Sequence, residues 1–111
     1  MLEINVSEQG HVTLVEASGR IDSMNANELG EALSAQIDGG GLHLVLDLGG
    51  VDYMSSAGLR EIVSALKKVK RASGDLRIAQ PSDRVREVLE MAGLDSIFQI
   101  FPSLGDAVRS Y

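Results

Sequence analysis

The chain has no cysteine and no tryptophan, and only two of its 111 residues are proline. The absence of cysteine excludes a disulfide framework and any thiolate chemistry. Aromatic residues make up 4% of the chain, and no run approaches the roughly 20 apolar residues that a membrane-spanning helix needs. Hydrophobic residues nevertheless reach 44%. This composition predicts a single domain over residues 1–111, with one core and no linker.

Basic residues are also few, because ten of them stand against sixteen acidic residues and give a formal net charge of -6. A nucleic-acid partner requires a positive surface for its phosphates, so no direct binding of nucleic acid is expected. Binding to an anionic membrane surface is disfavoured for the same reason. No basic segment is followed by an apolar leader, and the expected location is therefore cytoplasmic, without a secretion signal.

Short apolar runs predict the strands. Residues 2–6 and 11–17 alternate or are β-branched, and Gln9-Gly10 between them predicts a hairpin. HLVLDL at 43–48 is almost continuously apolar, which is typical of a central strand covered on both faces. Two further strands are expected, at 75–79 and within 97–101.

Apolar residues at helical spacing predict four helices, which together with the strands indicate an α/β fold. Ser23 is the expected N-cap of the first helix, and the glycines at 39–41 are expected to end it. These glycines are not interpreted as a phosphate-binding loop, because the Lys-Ser/Thr of such a loop is lacking. A second helix follows from Leu59, with cations in its last turn complementing the helix dipole. The whole order predicts a mixed central sheet of about five strands covered by about four helices. The third helix is expected to follow Ser82, with Met91 and Ala92 in the core and Gly93 as its stop. The fourth is expected to follow Ser103.

The two histidines carry little functional signal. His11 and His43 each stand at the start of a predicted strand, without an acidic residue or second histidine at ligand spacing. Both are interpreted as ordinary surface or strand-edge residues, and no metal site is expected.

The stretch MSSAGLRE at 54–61 lies where the central strand gives way to the second helix. One interpretation is structural, with Ser55 or Ser56 accepting a backbone N–H as the helix cap. A nucleophilic serine would need the Gly-x-Ser-x-Gly elbow, but position 54 is Met54 and neither histidine is a promising base. A third interpretation is a phosphoacceptor, because a helix N-terminus accommodates a phosphate.

GRID at 19–22 and LVLDLGGVDYMSSAGL at 44–59, with the surrounding order of elements, resemble the STAS domain of bacterial anti-sigma factor antagonists. The resemblance covers essentially the whole chain and implies a binding protein that is not an enzyme. It places the phosphoacceptor of the family at Ser56. Ser55, where the family often has aspartate, is the alternative acceptor, and Ala57 stands where a second serine or threonine often follows.

The resemblance also implies a mechanism. The unphosphorylated protein, a monomer when free, would bind an anti-sigma factor that is a serine kinase, and so release a sigma factor. Phosphorylation of Ser56 would end that binding, with ATP and Mg²⁺ supplied by the kinase and a PP2C-type phosphatase resetting the switch. The chain itself would need no cofactor. The alternative is a non-catalytic STAS subunit of a phospholipid-transport or sensory complex. The expected partner-binding residues are Asp22, Ser23, Met54, Ser55, Ser56, Ala57, Gly58 and Leu59.

Overall fold

The structure, a computed structural model that describes all 111 residues, contains one mixed five-stranded sheet. The first strand is antiparallel to the second, and each following strand is parallel to its neighbour. The spatial order of the strands is their order along the chain: β1 (Leu2–Gln9), β2 (Val12–Ile21), β3 (His43–Met54), β4 (Asp75–Ala79) and β5 (Ile100–Phe101). The helices are α1 (Ala26–Asp38), α2 (Ser56–Arg71), α3 (Asp83–Met91) and α4 (Leu104–Arg109). The predicted α/β fold is confirmed.

The hairpin of β1 and β2 forms as predicted, although both strands are longer than their apolar alternation indicates. Gly10 occupies the turn with φ of +64°, a left-handed conformation that glycine adopts without a steric penalty. β2 continues to Ile21 because its later residues also pair with β3. The extension carries the end of β2 to the start of the candidate site.

Both faces of the central strand are covered. Leu44, Leu46 and Leu48 of β3 are fully buried in a core that also contains residues of α1, α2 and α3. Val45 faces the other side, where a smaller cluster includes Ala107 of α4. The prediction of a buried central strand is confirmed. None of the helices is long and apolar enough to span a bilayer.

The prediction that Ser23 caps the first helix is wrong. The chain enters α1 through a turn in which the Asp22 carboxylate accepts the N–H groups of Met24 (2.9 Å) and Asn25 (3.3 Å). Asn25 occupies the N-cap position, and Ser23 is exposed. The Asp22 carboxylate therefore caps the turn that precedes α1, and the helix itself has no side-chain cap.

The end of α3 also differs from expectation. Met91 and Ala92 were predicted in the core, yet Met91 is 85% exposed and Ala92 is exposed too. The inward face of this short helix consists of Val85 and Leu89. The helix ends at Met91, and Gly93 then turns the chain away with φ of +74°, so the apolar stripe is not continued.

The remaining predictions at the carboxyl-terminal part are mostly confirmed. Ser82 and Ser103 cap α3 and α4 by accepting the N–H groups of Val85 and Asp106. Of the strand expected within 97–101, only Ile100–Phe101 pairs in the sheet.

The two histidines, interpreted as ordinary surface or strand-edge residues, are in edge-to-face contact with ring centroids 5.2 Å apart. The parallel pairing of β2 and β3 causes this contact because His11 directly precedes β2 and His43 is the first residue of β3. No group of three or more histidine, aspartate or glutamate side chains is placed to hold a metal ion.

Candidate functional site

The candidate site lies at the carboxyl ends of β2 and β3. These parallel strands pair Arg20 with Tyr53 and Ile21 with Met54, so the segments that follow leave the sheet side by side. The N–H of Ser55 donates to the carbonyl of Ile21 at 2.9 Å and joins the two segments. The two sequence motifs that were singled out separately therefore form one edge of the molecule.

The two serines of the turn have different surroundings. Ser55 is the N-cap of α2, with extended backbone, and its Oγ accepts the N–H of Gly58 at 3.3 Å. The structural interpretation of the turn is thus confirmed for Ser55. Ser56 is the first residue of α2, its side chain is exposed, and its hydroxyl makes no hydrogen bond within the protein. A reactant could reach Ser56 without disturbing the helix cap.

The floor of the turn is closely packed. A Cβ atom at Gly58 would lie 2.5 Å from Sδ of Met54 and 2.7 Å from Cγ2 of Ile21. Met54 itself is only 3% exposed. Met54 and Gly58, both predicted to contact a partner, therefore support the turn from beneath. The predicted residues that reach the surface fully are Ser23 and Ser56, and those that reach it partly are Asp22, Ser55, Ala57 and Leu59.

Asp22 is held by a reciprocal pair of interactions. While its carboxylate caps the turn into α1, the Asn25 side chain accepts the Asp22 N–H at 2.9 Å and donates to the carbonyl of Arg20 at 2.8 Å. The second carboxylate oxygen of Asp22 lies 3.4 Å from Nε of Arg20, and the Asp22 side chain is 30% exposed. The structure fixes this charge at the edge shared with the serine turn.

The prediction of the site from the sequence omitted three residues. The Arg20 guanidinium lies 4.1 Å from the centroid of the Tyr53 ring, a cation–π contact between neighbouring strands. The third residue, Met24, lies in the turn after β2 and is 86% exposed. The only sequence signal for Arg20 was its place within GRID, whereas the contact with Tyr53 depends on strand register.

The serine turn lacks the histidine that a serine hydrolase would use. His11 and His43 stand at the amino ends of β2 and β3, opposite to the carboxyl ends that carry Ser55 and Ser56. The geometry therefore gives no support to the hydrolase interpretation. The site presents a hydroxyl and a fixed carboxylate on a rigid edge, which suits recognition by another molecule.

Comparison with known proteins gives the family. The model of the STAS domain family matches residues 3–107, and this chain belongs to that family. A Bordetella bronchiseptica protein named as an anti-sigma factor antagonist, BtrV, is 40% identical over 93 residues, which cover 84% of this chain and 80% of that relative. The anti-sigma-B factor antagonist of Listeria monocytogenes is 33% identical over 99 residues, or 89% of this chain and 86% of the relative.

A solved structure agrees with both the fold and the family. The crystal structure of an anti-sigma factor antagonist from Mycobacterium paratuberculosis superimposes with a TM-score of 0.91 at 27% identity, covering 99% of this chain and 93% of that one. These relatives are named as regulators of other proteins, and the chain is accordingly not an enzyme.

Proposed function

We propose that this chain is an anti-sigma factor antagonist whose unphosphorylated form binds an anti-sigma factor serine kinase and thereby releases a sigma factor. The observation that carries the proposal is the exposed, unbonded hydroxyl of Ser56 at the start of α2, beside a serine already used as the cap. The names of the two relatives at 40% and 33% identity support the same function.

The surroundings of the two serines favour Ser56 as the phosphoacceptor. Phosphorylation of Ser55 would turn the hydroxyl oxygen that accepts the Gly58 N–H into the bridging oxygen of a bulky phosphate ester and would so disturb the cap. Ser56 needs no such rearrangement. The first N–H groups of α2 are free of intrahelical partners and carry partial positive charge, so the fold tolerates a phosphate there.

The effect of the phosphate is expected at the interface. A phosphoserine adds about -1.5 to -2 charges, and the carboxylates of Asp22 and Asp52 already stand at or close to the same edge. The added charge and bulk would oppose close packing of an acidic partner surface. ATP and Mg²⁺ come from the kinase, and a PP2C-type phosphatase restores the binding form.

The test is phosphate incorporation by the cognate anti-sigma factor with ATP and Mg²⁺, mapped by mass spectrometry of the peptide. Ser56→Ala is expected to abolish labelling while the protein still binds the kinase, because the hydroxyl is lost but the turn is kept. The matched control is Ser55→Asn, which keeps a capping oxygen and removes only the other hydroxyl. It is expected to be labelled like the wild type.

Two results would contradict the proposal in different ways. Label found on Ser55 alone would move the acceptor by one residue and leave the function intact. Recovery of transporter subunits, and of no anti-sigma factor, in a pull-down from the native host would favour the alternative STAS subunit.

A further inference from the structure

Four of the ten basic side chains form no salt bridge, and three of these four lie in one row on α2. Arg60, Lys67 and Arg71 are separated by seven and four residues, which places them on one face of the helix. All three are exposed. We refer to them as the cationic stripe. The fourth free cation, Arg84, lies on α3.

The helix dipole explains only part of this row. Cations in the last turn of α2 complement the partial negative charge there, and Lys68, Lys70 and Arg71 occupy that turn. Lys68 and Lys70 also pair with Asp38 (2.7 Å) and Asp75 (3.3 Å). Arg60 is the fifth residue of the helix, far from the last turn in which the dipole favours a cation. Its charge therefore calls for a different account.

An apolar groove runs beside the stripe. It has a volume of about 350 Å³ and lies between α2 and the segment after α3. Its apolar lining comes from Leu59, Val63, Ala92 and Leu94, and Arg60 and Lys67 line its edge. A groove with an apolar floor and a cationic rim is complementary to an amphipathic segment that carries carboxylates on one side.

The groove begins at Leu59, three residues after Ser56 along α2. Arg60 lies one helical turn beyond Ser56, and the stripe follows α2 for most of its roughly 24 Å. Because the chain has a net charge of -6, a negatively charged partner is attracted mainly to the cationic stripe. The overall charge disfavours an anionic membrane as the occupant, because the rest of the molecule would be repelled.

We infer that the cationic stripe and its groove dock an acidic, amphipathic segment of the anti-sigma factor, extending the contact made by the serine turn. The inference rests on the proposed function and adds the chemistry of the partner surface. It also accounts for the position of Arg60. Apolar side chains of the segment enter the groove, and its carboxylates face the stripe.

The test measures affinity for the cognate anti-sigma factor by calorimetry at about 50 mM and about 500 mM salt. Lys67→Glu is expected to weaken binding about tenfold at low salt, with a smaller loss at high salt, because screening removes the attraction. Arg84→Glu makes the same change in net charge on another helix and is expected to change affinity less than twofold. Melting temperatures of both variants show that the fold is kept.

A second measurement needs no variant. Wild-type affinity is expected to fall with rising salt, whereas repulsion between the acidic chain and an acidic surface away from the stripe would make it rise. Equal losses of affinity for Lys67→Glu and Arg84→Glu, or no loss of affinity for either, would overturn the inference. The proposed function would still stand, because the wild type would bind the anti-sigma factor. Stripe-dependent binding to phosphatidylglycerol vesicles, with unchanged affinity of Lys67→Glu for the anti-sigma factor, would overturn it in favour of a membrane. Absence of wild-type binding to any anti-sigma factor would overturn the proposed function and the inference together.

Discussion

Gly58 sets how closely α2 approaches the end of β2. The space for a Cβ atom is already filled by the side chains of Met54 and Ile21, both buried. Gly58→Ala is expected to lower the free energy of unfolding by about 1–3 kcal/mol, the usual cost of overpacking a core. Thermal or urea unfolding measures the loss.

The matched control for that substitution is Gly39→Ala. Gly39 has φ of -81°, and a Cβ there would meet only ordinary contacts with backbone carbonyls, the nearest at 3.4 Å. Its stability is expected to stay unchanged or to rise by a few tenths of a kcal/mol up to about 1 kcal/mol. Equal destabilisation by the two substitutions would show that close packing beneath the serine turn is not the cause.

At the level of single residues, the sequence predicted the serine turn but not how its two serines differ in their surroundings. Ser55 and Ser56 are chemically identical neighbours, and only the extended backbone of Ser55 directs its oxygen to Gly58. The contact of Arg20 with Tyr53 joins residues from two strands and depends on register. Such contacts leave no local pattern in the sequence.

Among the elements, β4 and the end of the chain after α4 are joined by a polar cluster. The Asp75 carboxylate accepts hydrogen bonds from Nε of Arg77 at 3.0 Å and the N–H of Leu76 at 2.9 Å, and Lys70 lies 3.3 Å away. The Arg77 guanidinium lies 3.9 Å from the Tyr111 ring centroid. The Tyr111 hydroxyl is shared between the carbonyls of Leu44 and Asp75, and burial raises its pKa.

Asp75 makes part of the stability dependent on pH. Burial raises the pKa of its carboxyl, but the hydrogen bonds from Arg77, Leu76 and Lys70 outweigh burial and hold the pKa below its usual value of 3.8. Because the folded pKa is the lower one, the stabilisation is present above about pH 4 and is lost as the pH falls through the folded pKa. Asp75→Asn is expected to cost about 1 kcal/mol at pH 7.

Urea unfolding of wild type and Asp75→Asn at pH 7 and in acid tests this expectation. The difference between them should shrink in acid, since the wild-type carboxyl is then protonated too. If the two proteins differ in free energy of unfolding by the same amount at both pH values, the effect of the substitution comes from packing and not from the charge of Asp75.

The elements were predicted best where one pattern decides them. The hairpin, the apolar run of β3 and the cap of α3 each depend on residues close together in sequence. The start of α1 was misplaced because the Asp22 carboxylate holds a turn over residues 22–25, so that the helix begins only after Asn25 and without a side-chain cap. The strand in 97–101 was overestimated because the buried Phe98 packs in the core outside the ladder.

For the whole molecule, phosphorylation is expected to change affinity much more than stability. A phosphate at the first residue of α2 gains roughly 0.3–1 kcal/mol from the helix dipole, whereas a loss of about 1.4 kcal/mol at the interface weakens binding tenfold. The phosphorylated and unphosphorylated proteins should therefore melt within a few degrees of each other. Calorimetric binding to the anti-sigma factor with ADP or ATP should separate them clearly.

The same pair of samples can contradict the proposed switch. A fall of many degrees on phosphorylation would mean that the phosphate acts through the fold. Unchanged affinity would mean that the phosphate is not the switch.

The two edges of the sheet have a consequence for self-association. A free strand edge offers unpaired backbone groups to another chain, and sheets that expose long apolar edges are prone to aggregate. Here β5 is two residues long, and β1 is exposed along most of its length with Glu3 and Glu8 among its residues. Neither edge favours addition of a strand from a second copy. Self-association by strand addition is therefore disfavoured at β5 by its length and at β1 by its carboxylates.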